Sequence, residues 1–258
     1  MWEKELEIAL FAVKEAQKEI IKIYHQGFDV EIKEDNSPVT NADKIADKII
    51  SEILHKAFPK YALLTEESED NHARLNNDYV WIVDPVDGTK DFVAKDDEFT
   101  TNIALAYKHQ VVVGVVGVCA KNEYYYASKG NGAYFLSGDK KEKIHVNEKL
   151  NDLICYSSVF HFSEAEISMI EKHKDKISKI EKKGSSLKAC YIAHGKGEIS
   201  YRLSQGTKEW DTAASDIIVK EAGGIFVEPD GKDIVYNRED VYNRRGYIIA
   251  NRKENILL

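Results

Sequence analysis

Residues 3–25 place Leu6, Leu10, Val13, Ile20 and Tyr24 at helical spacing, with charges between them. That pattern predicts an amphipathic helix with one packing face, and its mixed Lys and Glu polar face favours packing over a membrane surface. Residues 28–35 read as extended and polar, and Asn36-Ser37-Pro38 as a turn. Thr40 is placed to cap a second helix, 41–57, with Ile45, Ile49, Ile50, Ile53 and Leu54 on its buried side. A short strand over 61–65 leads into Glu66-Glu67-Ser68, and a polar loop covers 69–78. Tyr79-Val80-Trp81-Ile82-Val83 is an unbroken apolar run, the mark of a strand buried on both faces, and it is expected to stop at Asp84-Pro85.

Further strands are predicted at 100–107, 111–118, 123–128 and 133–136, a mostly antiparallel meander with Gly-containing turns. Helices follow at 163–173 and 185–195, a strand at 198–203, and a helix at 211–222 opened by Trp210-Asp211-Thr212 and stopped by Gly223-Gly224. Strands at 224–227 and 246–250 flank a Pro229-Asp230-Gly231 turn. Helices alternating with a large strand set give a layered α/β or α+β arrangement. If there are two lobes, the border falls near 138–150, giving an N-terminal α+β lobe, 1–140, and a C-terminal α/β lobe, 141–258.

Composition narrows the function. With 258 residues, 43% hydrophobic and 31% charged, the chain has the balance of a globular domain and enough length for a sizeable core. Its net charge of −8 disfavours a nucleic-acid polymer as partner, because a phosphate backbone demands a basic face. A small anion is still compatible if metal ions bridge like charges. Cys119, Cys155 and Cys190 stand alone, without CxxC or zinc-ligand spacing, which reads as free thiols in a reducing cytoplasm. The charged N-terminal segment reads as neither signal peptide nor membrane span.

The chemistry centres on Asp84-Pro85-Val86-Asp87-Gly88-Thr89. A strand that ends in Asp sets a carboxylate where α/β proteins place ligands. Pro85 forces the chain away from helix, so Asp84 and Asp87 can converge, and Gly88 allows close backbone approach to an anion. Two hard carboxylates on a rigid turn suit Mg²⁺. Taken singly, DPxD is also an ordinary turn, Glu66 a solvated acid, Asp211 a helix N-cap and Asp43 a first-turn surface acid.

Taken together, Glu66-Glu67-Ser68, the Trp81 to Thr89 segment, and Trp210-Asp211-Thr212-Ala213-Ala214 with Gly223-Gly224 downstream resemble the inositol monophosphatase superfamily, from about residue 5 to 250. The resemblance implies a sugar-phosphatase-like fold of alternating α-β-α-β-α layers and a Mg²⁺-dependent phosphomonoesterase using two or three ions. It implies Glu66, Asp84, Asp87, Asp211 and the Val86 carbonyl as metal ligands. It makes Asp43 and Thr89 the pair that orients and deprotonates the attacking water, and Gly88 and Thr89 the backbone that holds the phosphate, with Glu66, Asp87 and Asp211 also facing the substrate. Homodimers and lithium sensitivity are frequent in such proteins.

Several segments are more similar to the 3′(2′),5′-bisphosphate nucleotidases of that superfamily: Asp35-Asn36-Ser37-Pro38-Val39-Thr40, Asp87-Gly88-Thr89-Lys90-Asp91-Phe92, Glu98 to Leu105, and Gly184-Ser185-Ser186-Leu187-Lys188. Inositol enzymes place a Glu before the Trp-Asp motif to bind sugar hydroxyls. Here Tyr201-Arg202-Leu203-Ser204-Gln205-Gly206-Thr207 offers Arg202 and no carboxylate. Arg suits a second phosphate or a stacked base. Ser185, Lys188 and Arg202 are accordingly the expected nucleotide contacts, and adenosine 3′,5′-bisphosphate the expected substrate. The alternatives are an inositol-1-monophosphatase or broad sugar phosphatase, and a non-catalytic metal- or anion-binding regulatory module.

Overall fold

The computed structural model describes residues 1–33, 38–160 and 162–256. The Asn36-Ser37 part of the expected turn, and the start of the Asp35 to Thr40 segment, lie outside them.

Two helices open the chain, α1 (Glu3–Gln26) and α2 (Asn41–Ala57), separated by a small hairpin of β1 (Val30–Ile32) and β2 (Pro38–Thr40). The deepest face of α1 is built of small residues, Ala9, Ala12 and Ala16, with Val13 and Ile20, while Leu6 and Leu10 only flank the core. This small-residue face lets the helix approach the sheet closely: a Cβ on Gly117 would come within 2.4 Å of Val13 Cγ1. On α2 the expectation needs correcting. Ile45 faces outward, and the buried row is Ala42, Asp43, Ala46, Asp47, Ile50 and Leu54. The helix is rotated so that two carboxylates, not a full isoleucine face, point inward.

The next strands form one seven-stranded sheet, ordered β3 (Ala62–Thr65), β4 (Tyr79–Asp87), β5 (Thr100–Tyr107), β6 (Gln110–Val118), β7 (Glu123–Ser128), β8 (Ala133–Ser137) and β9 (Lys140–Ile144). Only β3 and β4 are parallel; every other neighbouring pair is antiparallel. On β4, Trp81 and Val83 pack under α1 and α2, while Val80 and Ile82 pack on the opposite face, so the strand is buried on both sides. It does not stop at Asp84. Pairing resumes at Asp87 opposite Thr100 after a register shift, which leaves Pro85 and Val86 outside the ladder. A residue without an N–H is accommodated at such a bulge, and the bulge re-aims the two aspartates that bracket it.

A second sheet of five strands runs β11 (Ile177–Lys182), β10 (Leu153–Ser157), β12 (Ile199–Arg202), β14 (Tyr247–Ala250), β13 (Ile225–Val227). Between the sheets lie α5 (Leu187–Ala193) and α6 (Glu209–Glu221), whose apolar residues join strands of both sheets in one core. On the outer face of the second sheet, Ile170 of α4 (Glu164–Lys172) packs against Leu153, Cys155 and Ile248. The result is helix, sheet, helix, sheet, helix. The chain passes from the first sheet to the second between Ile144 and Leu153, and we propose that any division into lobes follows this crossing. The three cysteines are buried free thiols. No helix among the described residues is long and apolar enough to cross a membrane.

Candidate active site

The bulge at the end of β4 sets the geometry. Asp84 is 1% exposed, and its Oδ1 has no hydrogen-bond partner among the described residues. Asp87 follows the bulge, and Asp211 arrives from α6. Carboxylate oxygens of these three residues lie within 4.8 Å of one another. The helix α6 begins earlier than the sequence pattern suggests, at Glu209, so Asp211 is not an N-cap. It sits in the first turn, and its Oδ2 accepts the Lys208 backbone N–H at 2.5 Å.

Electrostatics make this arrangement expensive without a cation. Burial, followed by the charges of Glu66, Asp87, Asp211 and Asp43, pushes the Asp84 carboxyl well above the usual range. Burial and the charges of Asp87 and Glu66 push Asp211 up to about 8. Three converging oxygen donors, one of them orphaned and buried, fit a hard divalent cation. Glu66, just after β3, approaches from the side: its backbone N–H reaches the Val83 carbonyl at 3.2 Å and its Oε1 takes Lys33 Nζ at 3.1 Å. Lys33 also bonds Glu67 at 2.6 Å, so a lysine ammonium neutralises this flank of the cluster. No sequence signal marked Lys33, which lies in a polar segment rich in alternating charges.

Asp43 and Thr89 are brought together. Asp43 Oδ2 accepts both the backbone N–H and the hydroxyl of Thr40, at 2.8 and 2.6 Å, a capping box at the start of α2. Its Oδ1 lies 3.2 Å from Thr89 Oγ1, which is equally 3.2 Å from the Val86 carbonyl. Burial raises the Asp43 carboxyl, and the Thr40 bonds hold it back. Thr89 opens a short helix missed in the sequence, α3 (Thr89–Ala94). Gly88 precedes it at φ +85, and a Cβ there would meet Asp91 Oδ2 at 2.9 Å, so both backbone and space require glycine.

Beside the cluster is a cavity of about 500 Å³, whose wall includes Ser185, Lys188 and Arg202 as well as Gly88 and Thr89. These three are placed together, but with different freedoms. The Ser185 hydroxyl donates to the Glu98 carbonyl at 2.6 Å, and Ser185 stands in left-handed backbone, φ +43, ahead of α5 rather than in it. The expected helix start at 185 is thereby corrected: the capping position is Ser186. Lys188 Nζ donates to the carbonyls of Ser185 at 2.6 Å and Lys183 at 3.2 Å, so it braces this loop as well as facing the cavity. Burial lowers its pKa. Arg202 ends β12, opposite Tyr247. The wall also carries the aromatic rings of Trp210, Tyr242 and Phe160, and the carboxylate of Asp91. Burial and neighbouring Asp96 raise Asp91 to about 7.

A profile described as the inositol monophosphatase family matches residues 1–257. The chain belongs to the inositol monophosphatase family, a family of phosphatases. Among its relatives is the 3′(2′),5′-bisphosphate nucleotidase CysQ of Buchnera aphidicola, 36% identical over 92% of this chain and 89% of that protein. The Nus factor SuhB of Pasteurella multocida is 31% identical over 95% of this chain and 90% of that protein. In three dimensions the crystal structure of CysQ from Bacteroides thetaiotaomicron, a bacterial member of the family, superposes with a TM-score of 0.85 at 33% identity, covering 96% of this chain and 98% of that one.

Proposed function

We propose that the protein is a Mg²⁺-dependent phosphomonoesterase acting on a nucleoside bisphosphate, with adenosine 3′,5′-bisphosphate as the substrate class and AMP and phosphate as products. The observation that carries the reading is a juxtaposition: a cluster of one buried and two half-buried carboxylates, which calls for divalent cations, opens on the same cavity as Lys188 and Arg202. One phosphate belongs over the cluster, and a second suits the cationic wall. The CysQ relatives support the same choice.

In this reading Asp84, Asp87, Asp211, Glu66 and the Val86 carbonyl hold the ions. When bound, Mg²⁺ supplies charge neutralisation for the phosphoryl group and acidifies water. The protein's own part is positional and basic. Thr89 is within reach of Asp43, so its hydroxyl takes a proton from the attacking water and hands its own to Asp43. Thr40 fixes the Asp43 carboxyl plane, and burial raises its proton affinity, which suits a base. The left-handed turn at Gly88 brings the backbone close enough to receive phosphate oxygens.

A second reading is favoured by Asp91. Residues 201–207 lack the hydroxyl-binding Glu of inositol enzymes, yet Asp91 puts a different carboxylate in the cavity wall. A sugar hydroxyl fits it, whether the 2′-hydroxyl of a ribose or the ring of an inositol phosphate. Phosphate release with Mg²⁺ from adenosine 3′,5′-bisphosphate and from inositol-1-phosphate separates the two. The nucleotidase reading expects the higher kcat/KM for the bisphosphate; preference for inositol-1-phosphate overturns it. Full cation binding with no phosphate release from a broad substrate panel would point instead to a regulatory module.

A further inference from the structure

Ser186 immediately precedes α5 and is 5% exposed. Its hydroxyl lies 2.8 Å from Asp87 Oδ2. The same carboxylate oxygen is 3.0 Å from Asn102 Nδ2 and 3.2 Å from Thr100 Oγ1, both on β5 and buried. Three donors from two distant parts of the chain therefore converge on one oxygen of Asp87.

The direction of this network is set by its chemistry. Asn102 Nδ2 can only donate, and it also reaches Ser186 Oγ at 2.9 Å. Ser186 therefore accepts from Asn102 and turns its single proton to Asp87. Thr100 shares its proton between Asp87 and Asn102 Oδ1, 3.1 Å away, which keeps the amide in that orientation.

The peptide that carries Ser186 is itself fastened. Glu98 Oε2 accepts the Gly184 N–H at 2.7 Å, and Glu98 Oε1 pairs with Lys183 Nζ at 2.5 Å. Ser185 and Lys188 add the bonds described above. A side chain at 184 would meet Asp91 Oδ1 at 2.5 Å, so this close approach needs glycine. Ser186 is thus fastened beside the aspartate by hydrogen bonds of the chain itself.

We propose that Ser186 is a positioning residue for Asp87, fixing with Asn102 the rotation of that carboxylate so that its other oxygen is presented to the cation shared with Asp84 and Asp211. This rests on the reading of the three aspartates as a metal site. A metal-ligating carboxylate held by outer hydrogen bonds need not be ordered by the metal, and losing such a bond weakens metal binding.

The test is calorimetric binding of Mn²⁺ to the whole protein without substrate, with melting curves to confirm folding. Ser186→Ala is expected to weaken Mn²⁺ binding by about 10- to 100-fold. Ser186→Thr and Ser186→Val have matching shapes and differ only in the hydroxyl, so they carry the comparison if alanine does not fold. Threonine is expected to bind within about threefold of the unaltered protein and valine to resemble alanine. Equal affinity in the threonine and valine variants, or unaltered affinity in folded Ser186→Ala, overturns the proposal. Absence of Mn²⁺ binding in the unaltered protein instead removes the metal reading beneath it.

Discussion

Glu209 and Asp211 stand two residues apart at the start of α6, the first fully buried and the second half-buried, and their surroundings are opposite. Glu209 is 0% exposed and fully partnered: Oε2 accepts the Asn237 N–H at 2.6 Å, and Oε1 accepts the Arg238 N–H at 2.8 Å and its Nε at 3.2 Å. Behind it, Arg74 bonds Asn237 Oδ1 at 2.8 Å and Asp70 at 2.7 Å, closing a network across 163 residues of sequence. Asp211 faces Asp87, Asp84 and Glu66, with one backbone N–H and the nearby Lys208 as relief. One carboxylate is buried with its counter-charges supplied by the protein; the other is half-buried among carboxylates, with little counter-charge beside it. A charge that is left uncompensated lowers stability, and a fold keeps such a site where a bound ligand restores the balance. On the proposed reading, that difference separates a structural carboxylate from a metal-binding one on a single turn of helix.

The strongest way to break the comparison is to neutralise the cluster. Asp84→Asn is expected to reduce kcat by about 10²- to 10³-fold, on the scale of losing a principal electrostatic contact in the transition state. The same change removes like-charge repulsion, so the metal-free variant should melt above the metal-free unaltered protein. Calorimetry in chelator checks this, and a lower melting temperature would count against the repulsive account.

Glu209→Ala should do the reverse. It leaves two backbone N–H groups and the Arg238 guanidinium without their acceptor, a loss of about 3 kcal/mol. For a chain of this size that is roughly 6–12 °C in Tm. Denaturant melts measure it, and added Mg²⁺ should not restore the loss selectively, since Glu209 lies outside the cluster.

The smallest effect sharpens the contrast by pH. Asp211 is raised to about 8 in the folded, metal-free protein, against an ordinary value of 3.8. The folded state then holds a proton that the unfolded state has released, so this stabilisation is fully present below pH 4 and is lost as pH rises through about 8. Metal-free Tm should decline between about pH 4 and 8 and level off above, and saturating Mg²⁺ should flatten that decline. Equal slopes with and without Mg²⁺ would contradict the assignment.

Much of this was legible in the sequence because its signals are local. The all-apolar run of β4, the meander and the Thr40 cap follow from periodicity and turn chemistry, and the motif order pointed to the family. What escaped depends on contacts between distant segments. The continuation of β4 past Pro85 is visible only through its partner Thr100. The edge strand β11, Ile177–Lys182, has two isoleucines three residues apart among Ser, Lys and Glu, so it shows no strand alternation and little apolar signal. Arg74, in a segment read as a polar loop, is 2% exposed because Asp70 and Asn237 meet it there. In the site, the aspartates were readable as a motif. Lys33, Asn102 and Ser186 were not read as site residues, because their roles exist only where the chain folds back on the cluster.

The most direct test of the central claim is calorimetric titration of Mg²⁺ into the metal-free protein at pH 7, in buffers of different ionisation enthalpy, with Asp84→Asn and Asp211→Asn alongside. The account predicts binding accompanied by proton release, since the raised carboxyls must ionise to ligate, and loss of most of that affinity in both variants. Mg²⁺ binding that survives both substitutions unchanged, or no binding to the unaltered protein, would contradict it.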